Sequence, residues 1–234
     1  MKNELINYKE GNTDLIGYVA YPEVENSPLV LIAHTWAGRD QFVHDRADEL
    51  ASLGYTAFAV DMYGDGKVGK DPSENEALMS PLIGDRQLLK KRINAALEHG
   101  KTLSGVNSSS IGAIGYCFGG LVVLDLARSG ANINGVVSFH GLLMGSEISS
   151  VGIKAKILAL HGERDPMVPL DMVDGFQKEM TLAVADWQLH SYGGTYHAFT
   201  NPDANDPALG AQYNESANKR SWKSMQNFLD EIFS

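Results

Sequence analysis

Residues Ile111 to Gly120 read Ile-Gly-Ala-Ile-Gly-Tyr-Cys-Phe-Gly-Gly, and Leu121-Val122-Val123-Leu124 follow. A short apolar run that closes on glycine, then two more glycines before an aliphatic run, predicts a strand, a sharp turn and a helix. Cys117, the chain's one cysteine, stands at the tip of that turn in a strained conformation. Gly115 and Gly119, two residues before and two after, are small where the strand and helix backbones converge. Such a turn exposes one side-chain atom above a parallel sheet and aims the N–H groups of a helix N-terminus at the same point. The positive end of the helix favours a thiolate there and also makes a site for the oxyanion of a tetrahedral intermediate. A lone cysteine in an apolar stretch is ordinarily a small buried hydrophobe. The three glycines around Cys117 are what set it apart.

The chain has 234 residues, a length that one α/β domain commonly uses, and it is read as a single domain, residues 1–234. Such a chain buries roughly 70–75% of its unfolded surface, so its core needs neither a disulfide nor a metal. A formal net charge of −10 speaks against nucleic acid and against an anionic membrane surface. The opening Met1-Lys2-Asn3-Glu4-Leu5-Ile6 is too polar for a signal-peptide core, and no apolar run approaches the length of a membrane span. With one cysteine and no leader, the expectation is a cytoplasmic protein, monomer or homodimer.

Around the opening stretch the chain alternates apolar runs and helical patterns. Glu4–Lys9 and Asp14–Tyr21 flank Gly11-Asn12 as an antiparallel hairpin. Pro28–His34 is an unbroken apolar run of the kind a strand covered on both faces has, and Thr35–Arg39 is the loop at its carboxyl end. A helix is expected from Asp40 to Leu53 with Gly54 as its stop, then a strand over Tyr55–Val60. A long polar, glycine-rich segment leads to a helix over Asp85–Lys101. After Cys117, a helix to Arg128, strands over Gly135–Phe139 and Ala155–Leu160, a helix over Leu170–Met180, a strand over Trp187–Tyr192 and a closing helix over Tyr213–Phe233 complete the pattern. This alternation is that of a doubly wound, mostly parallel sheet with helices on both faces.

In such sheets ligand chemistry collects beyond the carboxyl ends of the strands. Cys117, Asp165 and His197 each follow a strand there, and the order nucleophile, acid, histidine is that of the α/β-hydrolase arrangement. Taken singly, Asp165 before Pro166 is an ordinary turn residue, and His197 in a glycine-loosened loop is an ordinary solvated histidine. The three together, with the glycine turn, point to a catalytic triad. Asp61, at a strand end, is the runner-up acid, and His34, His140 and His161 also lie near strand ends. Gly64-Asp65-Gly66-Lys67-Val68-Gly69-Lys70 has the spacing of a phosphate-binding loop, but Asp71 stands where a Ser or Thr would hold Mg²⁺, and the stretch reads as a solvated loop. No spacing of His and Cys specifies a metal, and no cofactor is implied.

Three segments carry a resemblance: Gly115-Tyr116-Cys117-Phe118-Gly119-Gly120, then His161-Gly162-x-x-Asp165-Pro166-x-Val168-Pro169, then Tyr192-Gly193-Gly194-x-x-His197-x-Phe199. With them the chain resembles the dienelactone hydrolase family. Arg46-Ala47-x-x-Leu50-Ala51-x-Leu53-Gly54-Tyr55, Asp61-Met62-Tyr63-Gly64 and Ser221-Trp222-x-x-Met225-x-x-Phe228-Leu229 extend the likeness over nearly the whole chain. The resemblance implies a triad of Cys117, Asp165 and His197. It also implies an oxyanion hole from the backbone N–H groups of Trp36 and Phe118. Dienelactone hydrolase itself has a glutamate where this chain has Thr35, and an arginine that binds the substrate carboxylate where this chain has Asn201. The expected partner is therefore a small ester or lactone without a free carboxylate. Thr35, Tyr63, Arg86, Tyr196, Phe199 and Asn201 are the candidate substrate-binding residues. A Cys-dependent peptidase or acyltransferase, and a protein that uses Cys117 as an oxidisable thiol without turnover, are the alternatives.

Overall fold

The chain opens with β1 (Lys2–Glu10) and β2 (Thr13–Tyr21), paired antiparallel from Lys2↔Tyr21 to Glu10↔Thr13 around a two-residue turn. Gly11 takes φ 55° in that turn, as tight hairpins require. The computed structural model describes residues 2–145 and 152–234, which form two compact units meeting in sequence between Ile114 and Gly115.

In the first unit β2 pairs antiparallel with β4 (Thr56–Ala59), and β4 pairs parallel with β3 (Ser27–Ala33). All but one residue of β3 and all of β4 are buried, which accounts for their apolar sequence after Ser27 and Thr56. Helix α1 (Gln41–Ser52) packs on β2, β3 and β4. The side chain of Asp40 accepts the N–H of Val43 at its start, and Gly54, at φ 97°, stops it. Helix α2 (Pro72–Gly84) precedes α3 (Arg86–Gly100), which packs on β1 and β3.

The presence of α2 corrects the reading of a long irregular segment before residue 85. Asp71 accepts the N–H of Glu74 as N-cap, and Pro72 occupies the first turn, where its missing N–H costs nothing. Asp71, which argues against a phosphate loop, is itself the start of a helix. Gly64–Lys70 remains a loop.

β5 (Val106–Tyr116) runs into the second unit and ends at Cys117, and α4 (Phe118–Arg128), buried along its whole length, follows at once. β6 (Gly135–Phe139), β7 (Lys156–Gly162) and β8 (Trp187–Tyr192) are parallel, with Phe139 opposite Leu160 and Leu160 opposite His190. α4 and α6 (Glu215–Phe233) pack on β6. α5 (Leu170–Leu182) is tied to α4 by the buried Arg128, which donates to both carboxylate oxygens of Glu179 at 2.8 Å and to Asp125 at 3.0 Å. A short hairpin of β9 (Asn205–Asp206) and β10 (Ala211–Gln212), absent from the sequence reading, precedes α6. No helix among the described residues is long and apolar enough to cross a membrane.

Glycine is obligatory where β5 meets α4. A Cβ on Gly115 would lie 2.0 Å from the carbonyl oxygen of Gly119, and backbone on both sides of the clash leaves no flexible group to move aside. Gly115→Ala is therefore expected to lower stability by about 3 kcal/mol, read as a drop in urea midpoint at unchanged m-value. A variant as stable as the parent would contradict this account of the turn.

Candidate active site

Cys117 holds φ 56° and ψ −116°, a left-handed conformation that costs a non-glycine residue about 1–3 kcal/mol. Its backbone N–H donates to the Phe139 carbonyl at 3.0 Å and its carbonyl accepts from Gly120 at 2.9 Å, so both sides of the strained residue are tied down. The thiol stands half-buried at the N-terminus of α4, and Phe118 begins the helix.

The acid arrives from β7. Gly162 ends that strand, and a Cβ there would meet the carbonyl oxygens of Thr195 and Tyr196 at 2.6 Å, so only glycine lets the strand end lie against the histidine loop. The turn that follows places Asp165, buried, with Oδ1 accepting the N–H of Met167 at 2.9 Å and Oδ2 facing His197 Nδ1 at 2.6 Å. The histidine is held by its own backbone. Its N–H donates to Gly210 at 2.9 Å and its carbonyl accepts from Gln212 at 3.0 Å, both from the short hairpin, and the next residue, Ala198, sits at φ 55°.

The electrostatics follow from this geometry. Burial disfavours a charge on His197, but the neighbouring Cys117 sulfur and Asp165 carboxylate outweigh it and push the imidazole up to about 10. Nδ1 is committed to Asp165, and the Cys117 sulfur is the other neighbour that favours the protonated ring. An imidazolium oriented by a carboxylate and set beside a sulfur at a helix N-terminus is suited to nucleophilic attack by thiolate and to protonation of a leaving group. Any stability the extra proton contributes is present in full below the ordinary imidazole value and is lost as pH rises toward 10.

The other predicted residues are placed unit by unit. In the second unit Tyr196 is half-buried beside His197. Phe199 is wholly buried, its ring 5.0 Å from that of His140 and 5.6 Å from that of Tyr192. The Asn201 side chain accepts the N–H of Asp203 at 3.0 Å in a local turn. Arg164 lies exposed beside Glu163. His161 is buried at the end of β7 and its imidazole is pushed down, by burial first, against the pull of Asp165. His140, fully buried at φ 37°, bonds Thr200 Oγ1 through Nε2 at 2.8 Å, a contact that nothing in the local sequence announces.

In the first unit the loop after β3 holds Thr35, whose Oγ1 accepts the N–H of Ala37 at 3.2 Å, and Trp36, whose carbonyl accepts the Tyr63 hydroxyl at 2.8 Å. Burial lowers His34 to about 4, so Nε2 stays able to accept the N–H of Met62. Asp61, the runner-up acid, accepts the N–H groups of Ile16, Tyr63, Gly64 and Gly66 at 2.8–3.0 Å and organises that loop. Arg86 is half-buried in the first turn of α3. No group of three or more His, Cys, Asp or Glu residues among the described ones is arranged to hold a metal ion.

Residues 15–233 match the model of the dienelactone hydrolase family. The chain belongs to that family. It is a carboxylic ester hydrolase of the dienelactone hydrolase family, with the α/β-hydrolase fold and its mostly parallel sheet. Among solved structures it is similar to a dienelactone hydrolase-like promiscuous phosphotriesterase, P91, from metagenomic libraries. The two are 33% identical at a TM-score of 0.95, over 100% of this chain and 99% of the other. An uncharacterized protein of Caenorhabditis elegans is 39% identical over 153 residues, 62% of this chain and 94% of that protein. A carboxymethylenebutenolidase homolog of Rattus norvegicus is 26% identical over 163 residues, 68% of this chain and 65% of that one.

If the sulfur is the main source of the raised His197 value, Cys117→Ala should drop the imidazole titration far below the parent's value near 10. The parent should hold the proton throughout the neutral range. Following the His197 ring resonances by NMR from pH 5 to about 11 reads both. Identical midpoints in the two proteins would show that the sulfur does not hold the charge.

Proposed function

We propose that this enzyme hydrolyses small, uncharged esters or lactones through a Cys117-bound acyl-enzyme, with His197 as acid and base and Asp165 as its orienting partner. The observation that carries this reading is the 2.6 Å bond between Asp165 and His197 Nδ1, together with the Cys117 sulfur among the neighbours that raise the proton affinity of that ring.

The Cys117 thiolate attacks the carbonyl carbon, forming a C–S bond while the carbonyl electron pair moves onto oxygen. The oxyanion takes a hydrogen bond from the backbone N–H of Phe118, which begins α4. Collapse breaks the C–O bond, and the leaving alkoxide takes the proton of His197 Nε2. The now neutral imidazole removes a proton from water, and the hydroxide attacks the thioester. Expulsion of the thiolate restores the charged pair and releases the acid. Asp165 keeps Nδ1 protonated throughout and so leaves Nε2 as the site of proton exchange.

The substrate class rests on three side chains. A free carboxylate needs a cationic partner, because removing it from water unpaired costs several kcal/mol. Asn201 supplies an amide whose oxygen is already engaged by Asp203, and Arg164 is exposed on a turn. Tyr196 offers an aromatic border suited to a neutral acyl or aryl group.

Cys117→Ala should lose p-nitrophenyl butyrate hydrolysis by at least about 10³-fold while keeping its fold by circular dichroism. Cys117→Ser should retain only weak turnover. Near-parental activity in Cys117→Ala would end the nucleophile assignment. On substrate, kcat/KM for p-nitrophenyl butyrate should exceed that for a carboxylated dienelactone. A tenfold preference for the dienelactone, about 1.4 kcal/mol of transition-state binding, would show that a cation serves the carboxylate after all.

A further inference from the structure

Three features of the second unit converge on residues 139–141, between the nucleophile and the base. The Phe139 carbonyl accepts the N–H of Cys117 at 3.0 Å. Gly141 lies against the first turn of α4 so closely that a Cβ on it would stand 2.7 Å from the Gly120 Cα. Between them His140, fully buried, turns its ring toward the histidine loop. Its Nε2 bonds Thr200 Oγ1 at 2.8 Å, and its ring meets the rings of His197 and Phe199 edge-to-face at 5.1 and 5.0 Å. Thr200 is itself buried, and the backbone between it and His197 passes through Ala198 at φ 55°.

From this geometry we infer that His140 is a positioning residue for the hydrolysis: its bond to Thr200 and its contact with His197 fix the base at a set distance from the strained elbow. The inference rests on the Cys117–His197–Asp165 reading and adds a residue to it. No loop segment bonded only to Asp165 would be held against rotation of the imidazole about its Nδ1 bond, whereas an edge-to-face ring on its flank removes that freedom. His140 also has to stay neutral for this role. Burial, and then the charge on His197, hold its imidazole well below the ordinary value. Of the charged groups in the site, Cys117 and Asp165 pair with His197, and His161 is the other buried imidazole near it. His140 thus acts through its ring and its Thr200 bond, and it carries no proton of the reaction.

Two substitutions separate the bond from the bulk. Thr200→Val keeps the shape and removes the hydroxyl. His140→Phe keeps a ring against His197 and removes the nitrogen. Each should lower kcat for p-nitrophenyl butyrate about tenfold or more, with KM within about twofold, and each should shift the His197 NMR titration. Thr200→Ser, which restores the hydroxyl, should return kcat to within about twofold of the parent. The double variant should be no slower than the slower single one, since both break one contact. Near-UV circular dichroism matching the parent's verifies that each variant is folded, and Thr200→Val serves alone if His140→Phe does not fold. Parental kcat with an unmoved His197 titration in Thr200→Val, or a loss confined to KM, would overturn the inference. Activity retained in Cys117→Ala would instead overturn the nucleophile assignment, and the NMR titration, which needs no turnover, keeps the two failures apart.

Discussion

The structure turns on one constrained peptide. Cys117 is held in the left-handed region between a strand and a helix whose backbones touch, with Gly115 and Gly119 closer than any side chain permits. The strain is of order 1–3 kcal/mol. It is sustained because the Cys117 N–H and carbonyl are bonded to Phe139 and Gly120 and because the apolar α4 is buried along its length. What the strain gives is placement. The sulfur stands at the N-terminus of a helix, where a negative charge is favoured. Once that point is fixed, every other part of the site must reach it.

The second unit meets that demand with backbone contacts in preference to long side chains. Gly162 lets the end of β7 lie against residues 195 and 196, which brings Asp165 under His197. The short hairpin clamps the His197 backbone from both sides. The consequence is electrostatic: a carboxylate and a sulfur flanking a buried imidazole raise its proton affinity enough to overcome burial. The same loop carries Asn201 four residues on, where membership of this family leads one to look for a cation. In the mechanism proposed above, acyl transfer and the choice of acyl group therefore rest on different residues.

Much of this was legible in the chain itself, for identifiable reasons. The glycine-flanked Cys117 predicts the elbow because steric exclusion leaves a mark in the sequence. β3 announces itself by an unbroken apolar run. Asp165 and His197 are picked out by their order and by their places after strands. Helix α2 is not expected from the sequence because the stretch before it is polar and glycine-rich, although Asp71-Pro72 is an N-cap followed by a first-turn proline. The β9–β10 hairpin is only two residues per strand and has no periodicity to detect. In the sequence His140 is one of several histidines near strand ends. Its contact with Thr200 spans 60 positions, and no local pattern encodes it.

The central claim, that turnover passes through an acyl group on the Cys117 sulfur, is tested most directly by rapid-quench mass spectrometry during hydrolysis of p-nitrophenyl butyrate. The account predicts a butyryl adduct that maps to the peptide bearing Cys117, forms with the release of p-nitrophenol and disappears when substrate is exhausted. A burst of p-nitrophenol with the acyl group on another residue, or sustained turnover with no adduct on Cys117 at any quench time in a variant slowed at His197, would contradict it.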